Sequence, residues 1–333
     1  MSRASARLIA LSRFAPALLV VAAWHRPARG EPKWYEPDEP TDPYALPDAP
    51  APPTLPDLTH RALSASLETT FARMVVRPSD ASSTSAATGL VERVEFEQAL
   101  AMRRWYLGFS EEVAGSSAAG GFLWIAGQPE IWGRAVWASR AGLAYGGGLG
   151  LVAPLFDHGD AGTRTADSVR VVRPWDEVQF LDHAWSLRPF IDVREIDGPI
   201  ILQFRQGLDW AISTGDSSGA RDPVSAALDG ATQLTTRTAF FLGYRPLAFL
   251  GLGLEFWEVY VIQPAELHRA TYAVSPGVRF MTPFLQPALS FLAPIDKPMV
   301  GSVDSYWAVR LSLGIVIDPS RAVGRGEETS MGQ

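Results

Sequence analysis

A strict alternation of apolar and polar residues restricts the fold of this chain more than any other feature. In the stretch 200–212 one side of an extended backbone carries large apolar residues, namely Ile200, Leu202, Phe204, Leu208, Trp210 and Ile212. The other side carries Gln203, Arg205, Gly207 and Asp209. A helix would distribute these charges round its whole surface, so a period of two predicts a β-strand with one apolar and one polar face. The stretches 135–151, 250–256 and 307–317 repeat the pattern.

Counting such stretches gives about ten predicted strands between Thr59 and residue 318. They cover residues 61–76, 91–112, 131–153, 183–195, 199–213, 229–245, 247–262, 269–281, 284–294 and 303–317. Many exceed the five or six residues usual in soluble proteins, whereas about nine to eleven residues cross a bilayer at the tilt of a barrel. We therefore predict an all-β fold, an antiparallel transmembrane up-and-down β-barrel of about ten strands (roughly 8 to 12), at residues 59–318.

The connections between the predicted strands alternate in length. Tight breaks at Asp197-Gly198-Pro199, Arg245-Pro246 and Thr282-Pro283 fall at every second junction. Longer stretches lie between them, at 155–182, 214–228, 263–268 and 295–302. Short periplasmic turns and longer external loops alternate in this way in outer-membrane barrels, and both chain ends are then periplasmic. Residues 113–130 break the rule, because this long Gly-rich connection stands where a short turn is expected; Phe122–Ala126 within it could form an extra strand.

Aromatic residues near the predicted strand ends give a third signal. Tryptophan and tyrosine favour the interface between membrane and water, so we expect an interfacial location for Trp105, Tyr106, Trp132, Trp185, Trp210, Tyr260, Tyr272, Tyr306 and Trp307. A soluble β-sandwich is the alternative, since its faces also alternate and aromatic residues fill its core.

Charge is distributed unevenly along the 333 residues, whose formal net charge is −7. Residues 1–30 carry five arginines and no acid, and residues 31–58 carry seven acids and one lysine. No basic stripe follows, so a nucleic-acid partner is not expected. The absence of cysteine excludes disulfides, a thiolate metal site and a lipidated N-terminal cysteine.

The N-terminal region has the pattern of an export signal. Arginines precede the apolar stretch Phe14–Trp24, which is too short to span a bilayer, and small residues follow at Ala28 and Gly30. We predict a signal peptide at 1–30, an acidic, Pro-rich, disordered tether at 31–58 and a polar tail at 319–333. The tether is interpreted either as a spacer toward peptidoglycan or a periplasmic partner, or as a leader without a partner.

Three C-terminal segments resemble the last strands of bacterial outer-membrane β-barrel proteins. They are Val274–Phe280, Leu285–Ser290 and Tyr306–Ile317. The resemblance implies location in the bacterial outer membrane, with outer-membrane lipid and the barrel-insertion machinery as partners. It points to no characterised subfamily. Such barrels commonly end at an aromatic residue that the insertion machinery reads, whereas about fifteen residues follow Ile317 here, so insertion would use an internal signal.

Charged residues on the polar faces are the main functional candidates. Six lie near the middle of neighbouring strands: Arg205, Asp209, Arg237, Glu255, Arg279 and Arg310. They predict either a charged constriction in a narrow channel for small anionic solutes, or a paired network that plugs and stabilises a non-conducting structural or surface-exposed barrel. Both interpretations use the same residues and differ in whether ions pass.

Other candidate sites are weaker. The run Gly146–Gly150 lacks the Lys-Ser/Thr of a phosphate loop, so it predicts close packing at the barrel wall and no cofactor. Asp157, His158, Asp182 and His183 flank the longest predicted external loop. They resemble, crudely, the rim of ten-stranded outer-membrane proteases, which leaves an enzyme as a third hypothesis. We assign no catalytic residue, and no histidine spacing indicates a metal site.

Overall fold

The computed structural model describes most of the predicted barrel. The described residues are 63–76, 84–100, 105–118, 121–138, 142–214, 232–247, 249–263, 270–282, 285–296, 298 and 303–317. The predicted signal peptide at 1–30, the tether at 31–58 and the tail at 319–333 lie outside them.

Thirteen strands form one antiparallel sheet in the described part of the chain. They are β1 Leu63–Val76, β2 Ser85–Ala99, β3 Trp105–Ser116, β4 Leu123–Ala126, β5 Glu130–Ala138, β6 Leu143–Val152, β7 Ala184–Asp197, β8 Ile200–Ser213, β9 Thr232–Leu247, β10 Leu250–Gln263, β11 Ala270–Phe280, β12 Leu285–Pro294 and β13 Val303–Ile317. Two helical pieces stand between β6 and β7: helix α1 at Gly159–Val172 and a 3₁₀ helix at Pro174–Phe180.

The sheet closes on itself. β1 pairs with β13, and the pairing then runs in chain order back to β5 and β3. β2 pairs with both β1 and β3, which completes a ring of twelve strands. The short strand β4 pairs with the C-terminal end of β3, where Val113–Ser116 lie opposite Leu123–Ala126. A closed ring removes the exposed edges that an open sheet of this size would leave.

The predicted strands agree with the structure in the second half of the chain, where seven segments match β7–β13 within three residues at each end. The ring of twelve strands falls within the predicted range of 8 to 12. It exceeds the central value of ten because 91–112 contains two strands, β2 and β3, and 131–153 contains β5 and β6. Residues 101–104, between β2 and β3, contain neither Gly nor Pro, so nothing in the sequence marks the break between these two strands. Once each of these two stretches is divided into two strands, the connection 113–130 falls on the same side of the sheet as the other long connections. The extra strand expected within Phe122–Ala126 is β4.

The alternation assigns the two faces of the barrel correctly. Leu252 and Leu311 are on the outer face, 44% and 56% exposed, whereas Asp209 and Arg310 point inward and are 1% exposed. Large apolar side chains cover the outer face on most strands. Among the described residues, no helix is both long and apolar enough to cross a membrane.

Three of the aromatic predictions are wrong. Tyr106, Trp132 and Tyr306 are buried inside the barrel and do not lie at an interface. Tyr106 and Tyr306 each adjoin a tryptophan that is exposed on the outer face, and neighbours on a strand face opposite ways. Trp105, Trp185, Trp210 and Trp307 do lie outside, exposed.

The longest predicted loop, 155–182, folds into the lumen. We call residues Gly159–Phe180 the inward segment. Its residues from Ser168 onward are buried, and Val171, Val172 and Trp175 pack with Met74, Trp257 and other wall side chains in the largest apolar cluster. Exposing these apolar residues to water in a loop would be unfavourable, and this is the physical reason why the segment folds into the lumen.

Glycines on the inner face make room for large side chains that lie across the wall. A Cβ on Gly108 would stand 2.1 Å from the indole of Trp132, the residue opposite it on β5. A Cβ on Gly150 would meet the Glu130 carboxylate as it crosses β6 toward Arg188. The Gly146–Gly150 run therefore serves wall packing in part, as the sequence indicated.

We predict that Gly108→Ala destabilises the barrel by about 1–3 kcal/mol, because the added methyl must displace a buried indole. Gly133→Ala is the matched control, since its Cβ would have no neighbour closer than 3.9 Å. Urea unfolding of both variants in the same detergent checks the difference. Equal midpoints would contradict the inner packing described above.

Candidate functional site

The candidate site lies in the middle of the lumen, where residues Arg173–Asp176 of the inward segment meet the wall. We call these four residues the tip. The Asp176 carboxylate accepts hydrogen bonds from Arg93 Nη1 at 3.1 Å and Arg188 Nη2 at 3.4 Å, and from Arg173 Nη2 at 2.7 Å. Asp176, Arg173 and Arg188 are all buried. Burial opposes the charge of Asp176, but Arg93, Arg173 and Arg188 outweigh burial and hold the pKa of Asp176 well below its usual range.

Arg173 contacts carboxylates on the two strands that flank Arg93. Its Nη1 donates to Glu68, and its Nε lies 3.3 Å from Glu112 Oε1. Glu68, Arg93 and Glu112 are direct cross-strand neighbours on β1, β2 and β3, and all three face inward. The wall therefore presents a row of alternating charge to the tip, which carries one charge of each sign.

Trp175, within the tip, contacts residues of β7, β9 and β10. Its carbonyl oxygen accepts hydrogen bonds from Arg188 Nη2 at 2.7 Å and Arg237 Nη1 at 3.3 Å. Its indole stacks on Trp257 with ring centroids 4.5 Å apart. The guanidinium of Arg310 lies 5.2 Å from the centre of the indole, close enough for a cation–π interaction.

Further polar contacts hold the rest of the inward segment. Glu177 accepts hydrogen bonds from Gln233 at 3.0 Å and Thr235 at 3.2 Å, and Gln179 donates to Glu130 at 3.0 Å. The fully buried Gln128 binds the backbone that enters the segment, through Leu155 N, Phe156 N and Phe156 O at 2.6–2.9 Å. Contacts with several strands thus fix the segment inside the barrel.

The structure brings four of the six predicted luminal residues into two ion-paired groups. Asp209 lies 2.8 Å from Arg237 Nε and also 3.0 Å from Arg188 Nε. Glu255 accepts a hydrogen bond from Arg310 Nη2 at 2.9 Å, and Ser275 and Ser290 also contact that guanidinium. Sequence reasoning missed the residues that link the first group to the tip, because ion partners on separate strands leave no local spacing in the sequence.

The other two predicted luminal residues have different partners. Arg205 forms a two-pronged ion pair with Asp192, at 2.6 and 2.8 Å, and its guanidinium lies 4.1 Å from the centre of the Phe190 ring. Arg279 Nη1 donates to Gln286 at 3.4 Å. These contacts add to the polar filling of the lumen away from the tip.

The four predicted rim residues form two separate His–Asp pairs. His158 Nδ1 contacts Asp182, and its Nε2 lies 2.7 Å from the carbonyl oxygen of Ala126 in β4. His183 Nε2 lies 3.7 Å from Asp157 in an exposed position. Both ring nitrogens of His158 are therefore occupied, which leaves neither for proton transfer to a substrate. His158 instead ties the two ends of the inward segment to the wall.

Two solved structures share the fold. An outer-membrane channel from Pseudomonas putida F1 aligns with a TM-score of 0.55 at 12% identity, over 84% of this chain and 99% of that chain. The NanC porin aligns with a TM-score of 0.50 at 10% identity, over 76% of this chain and 100% of that chain. No protein-family model matches the chain, and no curated protein matches its sequence. The chain has the fold of outer-membrane β-barrel proteins.

We predict that Glu255→Gln costs about 3–5 kcal/mol, because it leaves the buried Arg310 guanidinium uncompensated. The matched control is Glu258→Gln on the same strand, where the carboxylate faces outward and accepts a hydrogen bond from Tyr272. Thermal unfolding of the two variants measures the difference. An unchanged midpoint for Glu255→Gln would exclude a buried ion pair at this position.

We predict that the His158 contacts weaken as pH rises. Burial lowers the pKa of His158, but the Asp182 and Ala126 hydrogen bonds outweigh it and raise the pKa above the usual value. Protonated His158 therefore contributes stability below about pH 6.5, and this contribution is lost as pH rises through the raised pKa.

The measurement is the difference in unfolding temperature between wild type and His158→Gln. It should be larger at pH 5.5 than at pH 9. His183→Gln, which alters the exposed pair, is the control and should differ little from wild type at either pH. A His158→Gln difference that grows with pH would reverse the sign and contradict the assignment.

Proposed function

We propose that the protein is a bacterial outer-membrane channel for small solutes and that the inward segment holds it closed in the present conformation. Support comes from the fold, the apolar outer face and the two similar structures, one of an outer-membrane channel and one of a porin. The proposal includes export through residues 1–30, assembly by the barrel-insertion machinery and contact with outer-membrane lipid. The tether 31–58 would reach peptidoglycan or a periplasmic partner.

One observation carries the proposal: buried charged and aromatic side chains fill the middle of the lumen. Glu112, Trp175, Arg188, Glu255 and Arg310 are each at most 2% exposed. Side chains without access to water leave no aqueous path between them. Conduction therefore requires movement of the inward segment, since the strands themselves form a continuous hydrogen-bonded ring.

The contacts at the tip suit a segment that moves. Buried ion pairs contribute little net stability, because the charges lose hydration when they come together. Arg173 and Asp176 would regain hydration on leaving, as would their partners Glu68, Glu112 and Arg93 on the wall. The apolar contacts of Val171, Val172 and Trp175 oppose movement, so the closed state would predominate at rest.

The second candidate is a non-conducting structural barrel. The same apolar cluster favours it, because a permanent filling needs no hydrated alternative state. The two candidates differ in what happens when the segment is removed. A channel conducts once its closing segment is absent, and a structural barrel loses stability.

The test is conductance in planar bilayers. Replacing residues 160–180 by a short Gly-Ser linker should convert brief or absent openings into steady conductance. The companion variant Arg173→Gln/Asp176→Asn leaves net charge unchanged and should open more often than wild type. Correctly folded barrels that do not conduct in either variant would support the structural alternative and overturn the proposed channel.

We predict that a charge on the lipid-facing surface impairs insertion. Leu311→Arg should cost about 2–4 kcal/mol if this part of β13 lies near the bilayer midplane, whereas Ser305→Arg near the strand end should cost about 0–1 kcal/mol. Both positions are on the outer face of β13 and are exposed. Refolding into lipid vesicles, followed by the shift in gel mobility on heating, measures the difference. Equal refolding of the two variants would contradict a lipid-facing role for Leu311.

A further inference from the structure

The lumen wall contacts the tip through groups that would recognise a free ligand. Three polar groups of the tip, the Arg173 guanidinium, the Trp175 carbonyl oxygen and the Asp176 carboxylate, have partners of opposite character on β-strands that are distant in sequence. The contacts involve buried side chains from β1, β3, β7, β9 and β10, and the partly buried Arg93 from β2. This arrangement resembles a small-molecule site, in which an apolar surface and a few directed polar groups converge.

The cationic group of the tip has a two-carboxylate subsite. Glu68 and Glu112 both contact the Arg173 guanidinium, and Glu68 also accepts a hydrogen bond from Thr70 at 3.2 Å. Two carboxylates about one guanidinium favour a planar cation that donates several hydrogen bonds.

The anionic and carbonyl groups of the tip share an arginine subsite. Arg93 and Arg188 contact the Asp176 carboxylate, and Arg188 and Arg237 contact the Trp175 carbonyl oxygen. Arginine is suited to this role because it presents several donors in a fixed plane. The pattern of a carboxylate beside a peptide carbonyl is that of an acidic peptide end or side chain.

An aromatic platform completes the site. Trp257 stacks on the Trp175 indole and lies in the same apolar cluster. A flat ring stabilises a stacked aromatic or planar group beyond the effect of apolar burial.

We propose that this wall is a binding site for small zwitterionic, peptide-like solutes that carry both a guanidinium or ammonium group and a carboxylate, and that the tip occupies it as an internal ligand. The site contains both signs of charge. A simple anion would therefore be repelled by Glu68 and Glu112, and a simple cation would be repelled by the arginines. The inference rests on the proposed function, because solutes reach the site only when the inward segment moves away.

The experiment uses the tip sequence itself as the probe. The capped peptide Arg-Pro-Trp-Asp is added to the full barrel in which a Gly-Ser linker replaces residues 160–180. Its three matched relatives are Gln-Pro-Trp-Asp, Arg-Pro-Trp-Asn and the neutral Gln-Pro-Trp-Asn. Block of the ion current and isothermal titration calorimetry measure binding independently, so the binding result does not depend on conduction.

The zwitterionic peptide should bind at least about tenfold more tightly than the neutral one, since charge-assisted hydrogen bonds are stronger than hydrogen bonds between neutral groups. Both singly charged peptides should be weaker than the zwitterion. Glu68→Gln/Glu112→Gln should remove the advantage of the peptides that contain arginine. L-Arginine should compete with the peptide more strongly than agmatine, which lacks the carboxylate.

The outcomes separate this inference from the proposed function. A conducting barrel that binds all four peptides equally would overturn the zwitterion site and leave the channel intact. A folded barrel that does not conduct would overturn the channel, and calorimetry would still decide whether the wall recognises the peptide. If the linker variant fails to fold, the same titrations on full-length Arg173→Gln/Asp176→Asn apply the same criteria.

Discussion

A ring of twelve strands encloses more space than its own side chains fill, and the rest of the structure depends on how that space is occupied. About eight strands give an interior that side chains alone can pack. Here an additional chain segment supplies the missing volume, and it brings Trp175 and a pair of opposite charges to the middle of the lumen. The width of the ring therefore leads directly to an internal segment that fills it.

Charge pairing explains how a polar interior tolerates so little water. Arg93, Arg173 and Arg188 each contact more than one carboxylate, and Asp176 contacts all three guanidinium groups. Such pairs offset the loss of hydration without adding much net stability. The network thus defines one position of the inward segment more than it stabilises the barrel. The proposed closed state of a channel requires this property.

Much of the barrel could be predicted from the sequence because the pleat of a strand imposes a period of two. The strands from β7 onward and the direction of Leu252, Leu311, Asp209 and Arg310 follow from that period alone. The connection between β2 and β3 could not be found, since it has no Gly or Pro. The connection between β5 and β6 contains Gly142, whose φ is 80°, but glycine also recurs within the strand that follows. The same missed turns made the long connection 113–130 look irregular.

The site was only partly predictable. Inward charges such as Asp209 and Glu255 follow from the alternation, but their partners lie on other strands, and no local sequence pattern shows which residues will pair. One signal was present and not used: Val169, Val171, Val172, Trp175, Val178 and Phe180 are too apolar for a loop in water. The steric reason for Gly150 also appears only when Glu130 and Arg188 are seen across β6.

Cysteine labelling tests the central claim, that the inward segment fills the lumen, most directly because the chain has no cysteine of its own. Ser168→Cys places a small thiol at a buried position of α1, and Arg164→Cys places one on an exposed turn of the same helix. With a charged, water-soluble thiol reagent, the account predicts rapid labelling of Arg164→Cys and protection of Ser168→Cys in the folded barrel. Equal labelling rates at the two positions would show that the segment lies outside the lumen and would contradict the account.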